Sequence, residues 1–255
     1  MDGKKSLTLK ILDKINSNSK KYSLFKNGDN ILLAISGGPD SIMMLDFFAK
    51  YAKKRNINLC ICHINHMLRG LSADKDEAFV KKLGRKYDIE TISKKINIPL
   101  MAKKKKTSIE HAARLARYNF LIQTAKKKGC SIIATAHHSD DNVETVLLNL
   151  LRGTNPKGLL GIPIKRVLSK KGSKKIYAIR PLMAITRKEI MGYIKANKLS
   201  SRKDKTNEDK KYTRNWIRKT LLPLIEKKQP QFRNHIITMS IKLNKELKNR
   251  EEKLR

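Results

Sequence analysis

Short runs of aliphatic and β-branched residues alternate along the chain with longer stretches whose apolar positions recur every three or four residues. The runs at 30–36, 58–64, 90–96, 131–136 and 176–179 predict strands, and the stretches at 41–55, 72–87, 108–128 and 141–152 predict helices. Strand and helix alternating in this way predict an α/β fold with right-handed crossovers, a parallel sheet with helices on both faces. Ligands of such open sheets bind beyond the carboxyl ends of the strands, so the residues just after each strand come first for inspection. Further on, Gly and Pro make 153–164 a loop, and Lys-Lys-Gly-Ser-Lys-Lys at 170–175 an exposed turn. Residues 187–198, 212–226 and 232–254 read as helical, with Pro230 parting the last two, and the polar 200–211 stretch reads as loop. This divides the chain into a catalytic domain over 1–210 and a short basic helical extension over 211–255.

Length and composition refine that picture. With 255 residues and 40% hydrophobic content, the chain can build one large core, and its 31% of charged residues does not imply disorder. No apolar run approaches the roughly 20 residues of a membrane span. The start, Met1-Asp2-Gly3-Lys4-Lys5, lacks a secretory apolar segment, so a soluble chain of the cytoplasm, or of a plastid stroma, is expected with no membrane partner. Lys and Arg total 58 against 22 acids, a formal charge of +36 that attracts polyanions and makes nucleic acid the leading partner class. AT-rich codon usage, which favours Lys, Asn and Ile together, accounts for part of that excess. Three cysteines cannot all pair internally, which suits a reducing compartment. Cys60-Ile61-Cys62-His63, with His66 three residues on, is spaced too tightly for a structural zinc site, and on one face of a strand the two thiols read as core.

The chemistry gathers at strand ends. Ser36-Gly37-Gly38-Pro39-Asp40-Ser41 follows the first strand. The glycines admit backbone conformations closed to other residues, Pro39 starts a helix, and successive N–H groups at a helix N-terminus favour a phosphate. Ser36, Ser41 and Asp40 add two hydroxyls and a carboxylate able to hold Mg²⁺. The Walker pattern is absent. After the fourth strand, His137-x-x-x-Asp141-x-x-Glu144 sets an imidazole and two carboxylates on one helical face, suited to a phosphate and to Mg²⁺ or an amine. Arg114 and Arg117, three apart on a helix, can clamp phosphates or a transition-state oxyanion, with Glu110 as the alternative surface partner of Arg114. His63, His66 and Arg69 lie beyond the second strand, where a structural role for His63 stands level with a ligand role. Arg214 and Asn215 suit nucleotide or RNA contact, or a solvated helix start.

The Ser-Gly-Gly-x-Asp-Ser turn resembles that of the PP-loop pyrophosphatases, which split ATP into AMP and pyrophosphate. Added to it in order are His63–Arg69 with its two histidines, Glu110-His111-Ala112-Ala113-Arg114, Arg117-Tyr118 and the run from Thr135 to Thr145. Then come Arg152-Gly153, Gly158-Leu159, Gly161-Ile162, Arg180-Pro181-Leu182, Asp204, Thr206-Asn207 and Tyr212-Thr213-Arg214-Asn215. Together these resemble the tRNA(Ile)-lysidine synthetases over roughly residues 25–225.

The resemblance implies ATP as co-substrate with Mg²⁺. It also implies adenylation of the 2-carbonyl oxygen of the wobble cytidine in the CAU anticodon of tRNA(Ile), and attack by the ε-amine of free L-lysine with loss of AMP. The catalytic candidates are then Asp40, Arg114, His137, Asp141 and Glu144. Ser36, Gly37, Gly38, Pro39, Asp40 and Ser41 would bind ATP. His63, His66, Arg69, Arg117, Arg214 and Asn215 would bind substrate, and Asp40 and Asp141 the metal. The lysine runs at 103–106, 170–175 and from 210 onward are candidate tRNA contacts, and a homodimer is compatible with the sequence. Two readings compete: another PP-loop tRNA-modifying enzyme, such as a 2-thiolation enzyme, and a non-catalytic basic RNA-binding protein.

Overall fold

The computed structural model describes residues 2–68, 70–202 and 213–253. In chain order its elements are α1 (Asp2–Lys21), β1 (Asn30–Ala34), α2 (Pro39–Arg55), β2 (Asn58–Asn65), α3 (Leu71–Tyr87), β3 (Thr91–Lys95), α4 (Ile98–Lys104) and α5 (Ile109–Lys127). They continue with β4 (Ile132–Ala134), α6 (Ser139–Leu151), β5 (Lys165–Lys171), β6 (Lys174–Ile179), α7 (Arg187–Ala196), α8 (Thr213–Trp216), α9 (Leu222–Lys228) and α10 (Phe232–Lys253). Short 3₁₀ turns occupy Pro156–Leu160 and Pro181–Ala184, and a π turn, Ile217–Leu221, joins α8 to α9.

The sheet runs β3-β2-β1-β4-β6-β5. Every neighbouring pair is parallel except β5 with β6. From β1 the chain moves outward to β2 and β3, then returns to place β4 on the other side of β1. That reversal opens a crevice at the carboxyl ends of β1 and β4, where doubly wound sheets take their ligands. Side chains alternate across the sheet with period two. Ile31, Leu33, Ile61, Ile132, Ala134 and Ile179 belong to the larger core with residues of α1, α2, α3 and α7. Leu32, Cys60, Cys62, Ile133 and Ile176 pack with Leu121 and Ala125 of α5 on the other face. Each fully buried aliphatic or aromatic side chain contributes about 1.5–3 kcal/mol. Polar pins add to this packing. Buried Asp46 of α2 accepts from Tyr193 Oη of α7 at 2.5 Å and Tyr87 Oη of α3 at 3.1 Å, and pairs with Lys50 at 2.7 Å.

Three elements depart from the pattern expected from hydrophobicity. α1 forms although its sequence is mostly polar, because Ile11 and Ile15 are buried in the core, against the 181–184 turn and α7. α4 is a short helix started by Asn97, whose side chain accepts from Leu100 N, with proline in its first turn. β5 occupies what read as the end of a loop and the start of a turn. Most of its residues are exposed, so no alternation marks it. The two-residue turn at Gly172, with φ +57°, is too short for a crossover and makes β5 antiparallel to β6, at the edge of a mostly parallel sheet.

The C-terminal helices lie on α6. Val143, Val146 and Leu147 share a cluster with Ile217, Leu222 and Ile236. The boundary expected at residue 210 lies outside the described residues. Among the described residues no helix is long and apolar enough to cross a membrane.

Candidate functional site

Ile35 leaves β1 into a turn held from behind. Ile35 N–H donates to Cys62 O at 3.0 Å, and buried His63 Nδ1 lies 2.8 Å from Ile35 O. Burial lowers the His63 pKa more than that bond and the nearby Glu77 and Asp76 raise it, so the ring is neutral. His63 therefore braces the turn from behind. Gly37 has φ +89°, a conformation that strains any side chain. Gly38 caps α2 and Pro39 opens it. The N–H groups of Ser36 and Gly37 donate to Ser41 Oγ at 3.3 and 3.2 Å, that of Gly38 donates to Ser36 Oγ at 3.3 Å, and Ser41 Oγ donates to Gly38 O at 2.8 Å. The amides expected to face a phosphate thus rest on two hydroxyls. An anion can exchange for these neutral acceptors and make stronger, charge-assisted bonds.

Across the crevice, β4 runs into α6, whose first turn carries two adjacent acids, Asp140 and Asp141, with Glu144 one turn on. His138 N–H donates to Asp141 Oδ2 at 3.0 Å, which fixes the helix start. The buried His138 ring then sits among carboxylates from two elements. Its Nε2 is 3.8 Å from Asp40 Oδ1 and 3.6 Å from Asp141 Oδ2, and its Nδ1 is 3.5 Å from Asp140 Oδ2. Burial opposes the cation, but Asp140, Asp141 and Asp40 outweigh it and raise the pKa. The neighbouring His137 goes the other way. Burial lowers its pKa, Asp141 opposes, and Arg180, Arg117 and Arg214 lower it further. Its Nδ1 lies 3.0 Å from Thr135 Oγ1. The two adjacent imidazoles are thus pushed in opposite directions: burial and three arginines hold His137 neutral, while the surrounding carboxylates favour the charged form of His138.

Arginines close the acidic ring. Arg187, first residue of α7, bonds Asp40 through Nη1, while its backbone N–H donates to Asp140 Oδ2 at 2.8 Å. Asp140 also accepts from Arg233 Nη1 at 2.8 Å. Burial would raise the Asp140 pKa, but His138, the Arg187 amide and Arg233 hold it down at about 2. Glu144 is 1% exposed and accepts from Arg214 Nε at 3.1 Å and from Arg218 Nε and Nη2 at 2.6 and 3.0 Å. Arg214 and Arg218, four residues apart, share one face where the π turn begins. Their Nη2 atoms are also 3.6 and 3.5 Å from Asp141 Oδ1. Glu144 is accordingly no free acid but the anchor of the C-terminal helices. Arg214 pairs with this buried acid while its own side chain stays partly exposed. Burial raises the Asp141 pKa, while His138, Arg214 and His137 more than reverse that, leaving an ionised carboxylate at the crevice.

The loop after α6 is tied back onto it. Ile162 N–H donates to Asn142 Oδ1 at 2.6 Å, and a Cβ on Gly161, whose φ is +67°, would stand 2.1 Å from that oxygen. Only glycine fits there. Arg114 and Arg117 of α5 flank Tyr118, with the Arg114 ζ carbon 5.1 Å from the ring centre. His66 lies on the loop after β2, where its backbone carbonyl accepts from Ile98 N–H. Arg69, Asp204, Thr206, Asn207 and Tyr212 lie outside the described residues.

The fold gathers Asp40, His137, Asp141, Glu144 and Arg214 around one crevice. Residues the sequence did not single out complete the ring: His138, Asp140, Arg187, Arg218 and Arg233. Of these, His138 and Asp140 stood beside the expected set, and the Arg-x-x-x-Arg spacing of 214 and 218 was a usable sign. Nothing local marked Arg187 or Arg233. Among the described residues no group of three or more His, Cys, Asp or Glu is arranged as a metal-ligand set. Asp40 nevertheless stands inside the glycine turn, and a single carboxylate beside a phosphate site suits Mg²⁺, which completes its shell with water and phosphate oxygens.

A family profile described as a PP-loop domain matches residues 7–225. The tRNA(Ile)-lysidine synthase of Clostridium tetani is 39% identical over 229 residues, 90% of this chain and 47% of its own. That of Caldanaerobacter subterraneus subsp. tengcongensis is 42% identical over 217 residues, 85% of this chain and 44% of its own. The chain thus spans about half the length of these curated relatives. In fold it is similar to the U34-tRNA thiolase NcsA of Methanococcus maripaludis, with TM-score 0.76 and 21% identity over 94% of this chain and 80% of that one.

Proposed function

The chain belongs to the PP-loop family, and from that premise we propose that it carries the catalytic part of a tRNA(Ile)-lysidine synthase. The reaction is ATP-dependent ligation of lysine to C2 of the wobble cytidine in the CAU anticodon, with release of pyrophosphate and AMP. The observation that carries this reading is the meeting of Asp40, from the glycine turn, with Asp141, from the fourth strand's end, on the edge of His138. One strand end offers amides for phosphate and the other an acid for an amine, as the two half-reactions require.

In the first half-reaction the cytidine O2 attacks the α-phosphorus and pyrophosphate leaves. The amides of the 36–41 turn and the hydroxyls of Ser36 and Ser41 would hold the phosphates, relieved of the internal bonds they now make. Asp40, within that turn, would hold Mg²⁺, which would supply charge screening of the phosphate oxygens when bound and leave Asp141 to the amine. Lysine's ε-amine is protonated at neutral pH, with a reference pKa of about 10.4, and must lose a proton before it attacks C2. Asp141 would receive the ammonium and relay its proton to water, while His137, held neutral by burial and by Arg180, Arg117 and Arg214, can accept a hydrogen bond beside it. Glu144 can bind the amine only if Arg214 or Arg218 withdraws. We place residues 211–255 as a basic extension bearing the arginines that complete this site, after a catalytic domain ending near 210. ATP, tRNA and free lysine coexist in the cytoplasm or a plastid stroma, where we expect the chain to act.

A thiolation enzyme of similar fold is disfavoured by the thiols. Cys60, Cys62 and Cys130 are all buried, and burial pushes the first two up to about 12, far from the thiolate a sulfur carrier needs. The test is incubation with ATP, radiolabelled lysine and tRNA bearing a CAU anticodon. Base-stable incorporation of lysine into the RNA supports the reading, and no incorporation, or only base-labile label, rejects it. Asp141→Ala is expected to keep part of the pyrophosphate release while suppressing lysine transfer. Equal and total loss of both steps would reject this division of labour.

A further inference from the structure

On the sheet face opposite α2, arginines from three elements gather on one tyrosine. The ζ carbons of Arg114 and Arg166 lie 5.1 and 5.3 Å from the Tyr118 ring centre. Arg180, at the end of β6, is only 2% exposed and lies against the Tyr118 phenol. Its Nη1 donates to Pro163 O, while its buried Nε has no hydrogen-bond partner. Arg117 precedes Tyr118 on α5. Among the described residues no carboxylate comes within ion-pair distance of any of the four. Glu110, near the start of α5, acts on Arg117 only at longer range.

A buried donor without a partner is costly, and so are like charges held together. The ring holds the guanidiniums by cation–π attraction without cancelling their charge, as a carboxylate would. Their field reaches the phenol: burial raises the Tyr118 pKa, yet Arg180, Arg114, Arg117 and Arg166 together lower it. A cluster of this kind is completed by an anion. We propose that Arg114, Arg117, Arg166 and Arg180, assembled on Tyr118, bind a phosphodiester group of the tRNA backbone beside the nucleotide being modified. The inference rests on the reading of the chain as a tRNA-modifying enzyme and assigns a place on it to the RNA.

Position selects RNA over the triphosphate of ATP as the source of that phosphate. Arg166 stands on β5, three strands from β1, or about 14 Å at the usual strand spacing. Arg114, Arg117 and Arg166 are solvent-exposed, open to a long polymer and not only to a small molecule. Two guanidiniums already engage the ring, which suits it to carrying phosphate-binding groups rather than to stacking a base. His137, which feels both Arg117 and Arg180, connects the cluster to the acidic ring.

The experiment compares wild type, Arg166→Ala and Arg166→Lys in tRNA affinity over a series of salt concentrations and in ATP affinity by calorimetry, with melting temperature as a check on folding. Arg166→Ala is expected to weaken tRNA binding by about five- to tenfold and to flatten the salt dependence by about one phosphate contact. Arg166→Lys should keep the wild-type slope, and ATP affinity should not change in either variant. Weakened ATP binding with tRNA affinity intact would assign the cluster to the nucleotide and overturn the proposal, as would no change in either ligand. A wild-type chain that binds ATP but no tRNA would instead remove the functional reading beneath it, before any substitution is compared.

Discussion

Around α6, Arg187, Arg214, Arg218 and Arg233 each meet a carboxylate, whereas around Tyr118 four arginines meet none among the described residues. The first set joins separate parts of the chain. Arg214 and Arg218 bring the C-terminal helices to Glu144, Arg233 brings α10 to Asp140, and Arg187 brings α7 to Asp40. The second set joins nothing by charge, and its members are held by a ring and by backbone carbonyl. Arginine neutralised inside the fold is architecture. Arginine collected without a counter-ion is capacity for a ligand.

The contrast can be broken most forcefully at Glu144. Glu144→Gln would leave two guanidiniums without their anion and should cost about 3 kcal/mol, read by urea denaturation, with amide exchange in 213–253 accelerating first. A loss below 1 kcal/mol would mean that the apolar cluster of Ile217, Leu222 and Ile236 holds the extension unaided. Glu77 provides a carboxylate held without arginine. Burial raises its pKa, but Lys81, Ser93 and Asn65 bring it to about 2, below the ordinary 4.5. Because the folded value is the depressed one, this stabilisation is present above pH 4.5 and fades as pH falls toward 2. It should amount to about 2 kcal/mol, discounted because Lys81 is solvent-exposed, and Glu77→Gln should flatten the stability profile in that window. Arg233→Ala should cost about 1 kcal/mol, since its partners Glu226 and Asp140 keep some water or other donors. Arg166→Ala should leave stability within about 0.5 kcal/mol of wild type, or raise it slightly, because it removes a like charge from a crowded cluster. A marked thermal destabilisation there would erase the distinction between the two sets.

Much of the architecture could be read from residue patterns. Strands β1 and β2 are largely buried runs with β-branched residues, β3 is half-buried over Thr91–Ser93, and α2, α3 and α5 follow with clear periodicity. What escaped was structure made by tertiary context. The mostly exposed β5 has a neighbour only because β6 turns back on it. α1 is helical because Ile11 and Ile15 find a core contributed by residues some 170 positions away. The site divides in the same way. The glycine turn and the His137–Glu144 set are local in sequence, so their residue types and spacing announce them. Arg187 and Arg233 reach the acidic ring from 47 and 93 residues beyond Asp140, and no local spacing encodes that. The fate of Glu144 was hidden for a related reason. Its helical face was legible, but which cations would cover it depended on how 213–228 fold back.

The edges of the sheet carry one more consequence. β5 and β3 are its outermost strands, and each bears exposed lysines: Lys165, Lys170 and Lys171 on one, Lys94 and Lys95 on the other. An unpaired strand edge invites a second chain to add on, and a row of ammonium groups makes that approach repulsive. The same lysines that suggest an affinity for polyanions also guard nascent and crowded copies of the chain against fusing into a continuous ribbon.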